Sequence, residues 1–114
     1  MGLAMTTPYK SVDYIIANAP KYAKAKSERT YIENFLRTKK ALLMKDALAL
    51  GIEAANAQER EALADPQYRQ VLKGLSVAIE KEETLRWELE SLRLDIEIFR
   101  SKEATNRLVN RAHE

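Results

Sequence analysis

The sequence predicts an all-α fold: a long, coiled-coil-like antiparallel helical hairpin with a short N-terminal helix, which completes a bundle as an oligomer. Three observations predict it: a helix-forming composition, prolines at two helix boundaries, and an apolar seam with alternating steps of three and four residues. The seam comprises Tyr68, Val71, Leu75, Ala78, Glu82, Leu85, Leu89, Leu92, Ile96 and Phe99. This spacing is typical of a long helix that packs along another helix.

The composition narrows the protein class. The chain has 114 residues, which is one domain, with 32% charged residues, 3 Gly, 3 Pro and no Cys. Few glycines and many charges favour solvated helices over sheets, and the lack of cysteine excludes disulfides and thiolate chemistry. No apolar run approaches the roughly 18 residues that a membrane span needs, and the N-terminus is unlike a signal peptide. We therefore expect a cytoplasmic protein that does not contact a membrane.

The first predicted element is a short helix over residues 8–19. Thr7 can cap it, and Pro8 suits its first turn because the missing N–H costs nothing there. One face of this helix would carry the apolar residues Val12, Ile15, Ile16 and Ala19. Pro20 disfavours the helical conformation at the preceding residue, so we expect the helix to break there.

The second predicted element is a long helix over residues 20–64. A seven-residue repeat crosses it, at Leu36, Leu43, Leu50, Ala57 and Ala64, with Ile32, Ala47 and Ala54 beside the repeat. Gly51 costs about 1 kcal/mol in a helix and could kink it or end it. We expect the helix to continue, because the repeat passes through Gly51 without a change of phase.

The third predicted element is a long helix over residues 66–108. Asp65 is a good N-cap and Pro66 a good first-turn residue. The short connection makes the two long helices antiparallel neighbours. A second apolar row follows this helix, at Leu72, Ile79, Trp87, Leu94 and Ile98. A two-helix hairpin buries one seam, so the second row needs the N-terminal helix, a second copy of the chain or a partner. We expect a homo-oligomer, with a dimer favoured.

Charge is distributed unevenly along the chain. Residues 20–45 contain eight basic and two acidic residues, whereas residues 46–65 contain five acidic and one basic residue. Tyr22, Tyr31 and Phe35 lie among the bases, and bases with aromatic rings can bind nucleic acid. The alternative, favoured by the four-residue spacing of Tyr31 and Phe35, is that the aromatic rings pack inward and the bases form a solvated face. The candidate nucleic-acid or partner-binding residues are Lys21, Lys24, Lys26, Arg29, Arg37, Lys39 and Lys40.

Two further features suggest contacts. Trp87 adjoins Arg86, and Arg93 and Arg100 follow at seven-residue spacing, so these four residues would form a partner-binding surface if Trp87 is exposed. A buried Trp87 between helices is the favoured alternative. Glu82 occupies an apolar position of the seam, where a carboxylate needs a partner. It could pair with Lys39 or Lys40 and set the register, or be exposed where the helices splay.

The chemistry of an enzyme is not indicated. The single histidine, His113, is next to the C-terminus, so the Glu-x-x-His metal motif of helical bundles is absent. The sequence has no glycine-rich phosphate loop, catalytic triad or zinc motif. We expect no enzymatic activity, no catalytic residue, no metal site and no cofactor.

A series of short words is spaced over residues 28–108: Tyr31-Ile32-Glu33, Lys40-Ala41-Leu42-Leu43-Met44, Gln58-Glu59-Arg60-Glu61, Asp65-Pro66-Gln67-Tyr68, Glu82-Glu83-Thr84-Leu85-Arg86-Trp87, Ile96-Glu97-Ile98-Phe99-Arg100-Ser101 and Glu103-Ala104-Thr105-Asn106-Arg107. In these words the chain resembles a group of small, uncharacterised, all-helical proteins of tailed phages. Such proteins tend to be encoded among early recombination and replication genes. The resemblance implies an accessory role in DNA metabolism, in the cytoplasm of a bacterial host.

Three functions remain open on the sequence. The first is a non-enzymatic adaptor in phage DNA recombination or replication, which binds a partner protein or single-stranded DNA through a basic helical face. The second is a host-directed inhibitor of a nuclease or defence complex, in which the acidic segment 46–65 mimics DNA. The third is a structural coiled-coil assembly protein.

Overall fold

The protein consists of three α-helices in a computed structural model that describes residues 8–113. They are α1 (Pro8–Ala49), α2 (Ala55–Ala64) and α3 (Pro66–Ala112). The described residues contain no β-strand. The two long helices pack against each other as an antiparallel hairpin, so the predicted all-α class is confirmed. The predicted cap residue Thr7 lies outside the described residues.

The chain divides into two compact units. Among the described residues, the terminal unit contains residues 8–23 of α1 and residues 83–113, which include the last part of α3, and the central unit contains residues 24–82. Each unit has its own small group of buried residues. We describe each of them separately.

The core of the terminal unit centres on Leu92, which is almost completely buried. Ser11 of α1 is also buried, and its hydroxyl donates a hydrogen bond to Asp95 Oδ2 of α3 at 3.3 Å. Ile15, one turn after Ser11, and Leu89, one turn before Leu92, are half-buried. Beyond Phe99, every described residue of the unit is exposed through to His113. The last part of α3 therefore has no packing partner among the described residues.

The core of the central unit consists of small and medium side chains. Its buried apolar residues are Ala25, Leu43 and Ala47 of α1 and Ala62 of α2. Alanine at a helix contact allows the backbones to approach closely, but it buries little apolar area. The unit is consequently thin, and it contains polar contacts between its helices as well as apolar ones.

The predicted seam of α3 is the face that packs against the rest of the fold. All of its positions from Tyr68 to Ile96 are buried or half-buried, and Phe99 at its end is partly exposed. The residues of the second predicted row are exposed instead: Leu72, Ile79, Trp87, Leu94 and Ile98. Within the described residues no helix covers this row, so the N-terminal segment does not serve that purpose.

The predicted helix break at Pro20 is wrong. α1 runs from Pro8 to Ala49 with Pro20 in its interior, so the first helix of 8–19 and the second helix are one element. Pro20 is exposed, and its ring therefore meets water and not a neighbouring helix. It cannot donate a hydrogen bond to the carbonyl of Ile16, at a cost of about 3 kcal/mol, which the packing of α1 on either side offsets.

Over residues 8–19 the face of α1 that packs inward differs from the predicted one. Val12, Ile16 and Ala19 are exposed, and only Ile15 of the predicted stripe is half-buried. Further along α1 the predicted positions Ile32, Leu36, Leu43 and Ala47 are buried or half-buried, as expected. One stripe of buried and half-buried positions runs along α1 in steps of four and three: Ser11, Ile15, Asn18, Tyr22, Ala25, Arg29, Ile32, Leu36, Lys39 and Leu43. Four of these ten are polar or charged, which is why the apolar pattern indicated another face near the start of the helix.

The prediction that the helix continues through Gly51 is also wrong. Gly51 has φ +97°, a conformation that side chains with a Cβ rarely adopt. The N–H of Gly51 bonds the carbonyl of Leu48 at 3.0 Å, and the N–H of Ile52 bonds that of Ala47 at 3.0 Å. This pair of bonds is the Schellman helix end. Half-buried Ile52 and buried Ala47 supply the apolar side chains that usually accompany it.

The connections around α2 are closed by side-chain hydrogen bonds. The Gln58 amide donates to the carbonyl of Ile52 at 2.9 Å, across the turn that begins at Gly51. At the start of α3, the backbone N–H of Gln67 donates to Asp65 Oδ1 at 2.7 Å. Asp65 is thus the N-cap that the sequence predicts, and Pro66 is the first residue of the helix.

Two glycines provide a matched pair for the stability of the helices. Gly51→Ala should lower the free energy of unfolding by about 1–2 kcal/mol, because alanine is strained at positive φ. Gly74→Ala should raise it by about 1 kcal/mol, because Gly74 lies inside α3 and an added Cβ meets nothing within 4 Å. Urea denaturation measures both. Equal signs for the two substitutions would contradict the described end of α1.

Pro20→Ala should stabilise the chain by about 2 kcal/mol. Alanine restores the helical hydrogen bond, and the greater entropy of the unfolded chain offsets part of that gain. The control is Ser27→Ala at an exposed position of α1, with an expected change within about 0.5 kcal/mol. Urea denaturation followed by circular dichroism checks both. A loss of stability in Pro20→Ala would mean that the proline is required.

Candidate interaction surfaces

An ion-pair cluster lies between the helices of the central unit. Glu82 is only 6% exposed, and Arg29 donates hydrogen bonds to both of its carboxylate oxygens, one of them from Nη2 at 3.4 Å. Arg29 Nη1 also donates to Glu33 Oε1 at 2.7 Å. The hydrogen bond to Glu82 and, to a lesser extent, the one to Glu33 raise the pKa of Arg29 above its ordinary value. The cluster leaves Arg29 little freedom to bind a ligand.

The partner of Glu82 is therefore not the predicted one. We expected Lys39 or Lys40 to pair with it, or solvent to reach it. Lys40 instead bonds Glu59 of α2 at 2.6 Å, and Lys39 is half-buried. Sequence reasoning did not identify Arg29 as the partner of Glu82, because the inward face of α1 was inferred from apolar residues and Arg29 is charged.

The acidic segment 46–65 is partly used by the fold. Glu59 is paired with Lys40, and Asp65 caps α3. The remaining acids are Asp46, Glu53 and Glu61, which are exposed. Acids that hold helices together are less available to imitate the phosphates of DNA.

The predicted basic residues of the central unit do not form one surface. Lys21 belongs to the terminal unit, and the other six belong to the central unit. In the central unit, Lys24 lies on one flank of the packed stripe of α1, and Lys26 and Arg37 lie on the other flank, given 3.6 residues per turn. All three are exposed, whereas Arg29, Lys39 and Lys40 are only half-exposed. A single strand of nucleic acid could not contact both flanks of α1 in this unit together.

One flank of α1 combines aromatic, aliphatic and basic side chains. We call it the aromatic face. Its residues alternate in steps of four and three, and all are exposed: Lys24, Glu28, Tyr31, Phe35, Thr38, Leu42 and Lys45. Tyr31 is 69% exposed, and its ring stacks on that of Phe35 with centroids 6.3 Å apart and an angle of 13° between the rings. The expectation that these aromatic rings pack inward is therefore wrong.

Charge on the aromatic face is mostly positive. Lys24 and Lys45 lie at its two ends, and its one acid, Glu28, is 3.7 Å from Lys81 of α3. Lys81 thus offsets the negative charge of Glu28. Sequence reasoning placed Lys24, Tyr31 and Phe35 in one basic stretch, but it missed Leu42 and Lys45 as members of the same face.

In the terminal unit, Trp87 is 59% exposed, so the favoured prediction of a buried tryptophan is wrong. The Arg86 guanidinium lies over the Trp87 ring, 4.6 Å from its centroid, a distance at which cation–π attraction operates. Arg86 also donates to Glu83 at 2.7 Å. This bond raises the pKa of Arg86 above its ordinary value. The part of the ring that this guanidinium leaves exposed offers an apolar contact.

The other two predicted arginines differ from each other. Both are exposed, but Arg93 lies between Glu90 and Glu97, with contacts of 2.6 and 2.8 Å, whereas Arg100 lines a shallow groove with Glu97 and Arg107. Arg93 lowers the pKa of Glu90 below its ordinary value. A lowered pKa in the folded state adds stability at neutral pH, which is lost as the pH falls through that pKa. The effect is small because the pair is exposed and screened by solvent.

No group of three or more potential metal ligands occurs among residues 8–113. Over the same residues, no helix is both long and apolar enough to cross a membrane. The groove formed by Glu97, Arg100 and Arg107 near the end of α3 is shallow and charged.

No protein-family model, curated protein or solved structure matches this chain. Its function is therefore inferred from its own residues and their geometry.

The ion-pair cluster makes an ordered set of stability predictions. Arg29→Met should destabilise more than Glu82→Leu, because it leaves a buried carboxylate facing an apolar side chain, while Glu82→Leu leaves Arg29 with Glu33 as a partner. The double substitution should recover most of the wild-type melting temperature, since it removes both charges. Thermal denaturation of the three variants measures this order. A double variant whose loss equals the sum of the two single losses would contradict the pairing.

Proposed function

We propose that this chain is a non-enzymatic accessory protein of phage DNA recombination or replication, and that it binds single-stranded DNA through the aromatic face. The observation that carries the proposal is the exposed Tyr31–Phe35 pair between Lys24 and Lys45. Exposure of two aromatic rings to water is unfavourable, so a ligand that covers them is the best explanation of their position.

Single-stranded DNA fits the chemistry of this face. Each base has a flat apolar surface that can stack on Tyr31 or Phe35, at about 1–3 kcal/mol per stacked base. The lysines at both ends would neutralise phosphates of the same strand, and neither contact distinguishes one base from another. Such binding is tolerant of sequence, which is useful to an accessory protein of recombination or replication.

The resemblance to small tailed-phage proteins supports the biological setting. The matching words include Tyr31-Ile32-Glu33, which contributes to the aromatic face. Genes of that group lie among recombination and replication genes, where single-stranded DNA is an intermediate. The resemblance carries no catalytic residue.

Two lysines imply binding that is weak and sensitive to salt. For single strands the logarithm of the binding constant falls with the logarithm of salt concentration by about 0.7 per neutralised phosphate. Two phosphates therefore predict a slope of about −1.4. A much steeper slope would mean that many more bases of the chain contact DNA.

Tyr31→Ala should weaken binding to a fluorescein-labelled oligothymidine by roughly 5- to 100-fold in fluorescence anisotropy, because one stacked base is lost. Lys24→Glu with Lys45→Glu should also weaken it and lower the salt slope. The matched control is Lys26→Glu with Arg37→Glu, which makes the same change in net charge on the other flank of α1. Equal losses in both charge variants would show that binding follows net charge and would contradict a defined face.

A partner protein is the alternative ligand of the same face, as an adaptor would require. It is tested by capture of tagged protein and of its Tyr31→Ala variant from phage-infected cells, with and without nuclease. One outcome is that the wild type captures a phage replication or recombination protein that the Tyr31→Ala variant does not capture. If nuclease treatment leaves this capture unchanged, that protein and not DNA is the ligand of the face. A host defence or repair protein would instead favour an inhibitor.

A second candidate function is a structural coiled-coil protein. The observation in its favour is the uncovered apolar face of α3, on which Trp87 and Leu94 are exposed. A protein of this kind would assemble beyond a dimer and would be found in phage particles, whereas the DNA-binding function requires neither.

A further inference from the structure

The last part of α3 carries a second seam on the face opposite to the one that packs against α1. We call it the outer row. Its members alternate in steps of four and three, and all are exposed: Trp87, Ser91, Leu94, Ile98, Ser101, Thr105, Leu108 and Ala112. This spacing is the heptad pattern of a helix that has a partner on that side. The row spans 26 residues, or about 39 Å of helix.

The composition of the outer row is not that of a solvated face. Ten of the 26 residues from Trp87 to Ala112 are charged, yet none of the eight row positions is. Four of the eight carry large apolar side chains in contact with water. Charged residues are left out of a helix face when another surface covers it. The described residues of this chain provide no such cover.

The charges beside the outer row indicate which surface covers it. In heptad terms the flanking positions on one side are Glu90, Glu97, Ala104 and Arg111, and on the other side Glu88, Asp95, Lys102 and Val109. Acids flank the first half of the row and bases flank the second half. A helix with this order of charge is complementary to a second copy of itself in the opposite direction.

We propose that two copies of this chain pair antiparallel through the outer row, with Ile98 beside the partner's Ser101 at the centre. The same register places Leu94 against the partner's Thr105, Ser91 against the partner's Leu108, and Trp87 against the partner's Ala112. Every layer then combines a large side chain with a small one. This inference is independent of DNA binding by the aromatic face.

Flanking charges match in this register. In antiparallel coiled coils, equivalent flanking positions face each other across the interface. Glu90 then lies near the partner's Arg111, and Asp95 lies near the partner's Lys102, each pair occurring twice by symmetry. Arg93 already contacts Glu90 and Glu97 in each copy, so the partner's Arg111 joins a site with more acids than bases.

Parallel pairing is less favourable for two reasons. It places like residues together, including the two Trp87 rings, and leaves Ser91 and Ser101 as layers without apolar contact. It also brings Glu90 near the partner's Asp95, and this repulsion offsets the attraction of Glu97 to the partner's Lys102, whereas the antiparallel register has two attractive contacts and no repulsive one. The antiparallel arrangement in addition gives the exposed end of α3, beyond Phe99, a helix to pack against.

The size of the interface is adequate. A specific dimer buries about 800 Å² on each partner, and one tryptophan contributes about 150–250 Å² of this when fully buried. Eight row residues with the stems of their charged neighbours, over about 39 Å of helix, are of that order. The interface would be near the lower limit for a stable dimer, so its population depends on concentration.

The first test is the mass of the full chain in sedimentation equilibrium at about 100 µM. We expect a dimer that Leu94→Glu converts to a monomer, with circular dichroism to confirm that the variant is folded. The control is Leu72→Glu, because Leu72 is 46% exposed and Leu94 is 45% exposed on the same helix, but Leu72 is outside the row. A monomeric wild type, or a dimer that survives Leu94→Glu, would overturn the proposal.

Disulfide trapping tests whether the two copies pair antiparallel or parallel. No native cysteine interferes, because the chain has none. A mixture of Ser91→Cys chains with Leu108→Cys chains should oxidise to a mixed dimer, and Ser91→Cys alone should cross-link poorly. Efficient cross-linking of Ser91→Cys to itself would show parallel pairing and overturn the antiparallel register.

Trp87, the single tryptophan, provides a third readout. Its emission should shift to shorter wavelength as the dimer forms with rising protein concentration. A shift that does not depend on concentration would show that another part of the same chain covers Trp87, and it would overturn the proposal.

Discussion

Two long helices can bury only one stripe each, and the rest of this structure follows from that constraint. A stripe of ten positions on α1 meets a stripe of ten on α3, and few side chains are removed from water completely. Everything outside these stripes must be either charged and solvated or covered by something else. The aromatic face and the outer row are two regions of the described chain that satisfy neither condition.

The ion-pair cluster gives the packed stripes their register. Most contacts between the helices involve alanine, leucine or isoleucine, and a shift of seven residues would replace one such contact by a similar one. Such a shift would separate Glu82 from Arg29 and would leave a buried carboxylate among apolar side chains. The cost of that error is larger than the gain from any single apolar contact, so the pair selects one alignment among several that are similar in apolar burial.

The fold class and the packed face of α3 were predictable from the sequence because apolar side chains occupy nine of its ten seam positions. The packed face of α1 was predictable only in part. The predicted positions Ile32, Leu36 and Leu43 lie on it, but its first half was missed, since Ser11, Asn18 and Arg29 occupy it and look like solvated residues. Two helix boundaries also differed from the prediction, for opposite reasons. Pro20 was interpreted by its local propensity, whereas tertiary packing carries α1 through it. At Gly51 the unbroken seven-residue repeat was preferred to local propensity, whereas the positive φ of Gly51 ends α1.

The candidate surfaces were only partly predictable. Trp87 and its arginines, and the bases with Tyr31 and Phe35, were identified as residues, but their exposure could not be predicted. Steps of three and four describe every longitudinal face of a helix, so the spacing of Tyr31 and Phe35 fits an inner and an outer face equally well. Which face turns inward is decided by contacts between residues that are distant in the sequence, and these require coordinates.

The pairing of Arg29 with Glu82 has a consequence for how such a chain can vary. The two residues are 53 positions apart in the sequence, yet a change at either one leaves the other badly placed. Substitutions that leave stability unchanged are therefore expected mainly at both positions together, for example two apolar residues, or an acid in place of Arg29 with a base in place of Glu82. The positions around them, where alanine and leucine are interchangeable, can diverge freely. Distant relatives of this chain would then keep the correlation between these two sites after the rest of the hairpin has lost recognisable similarity.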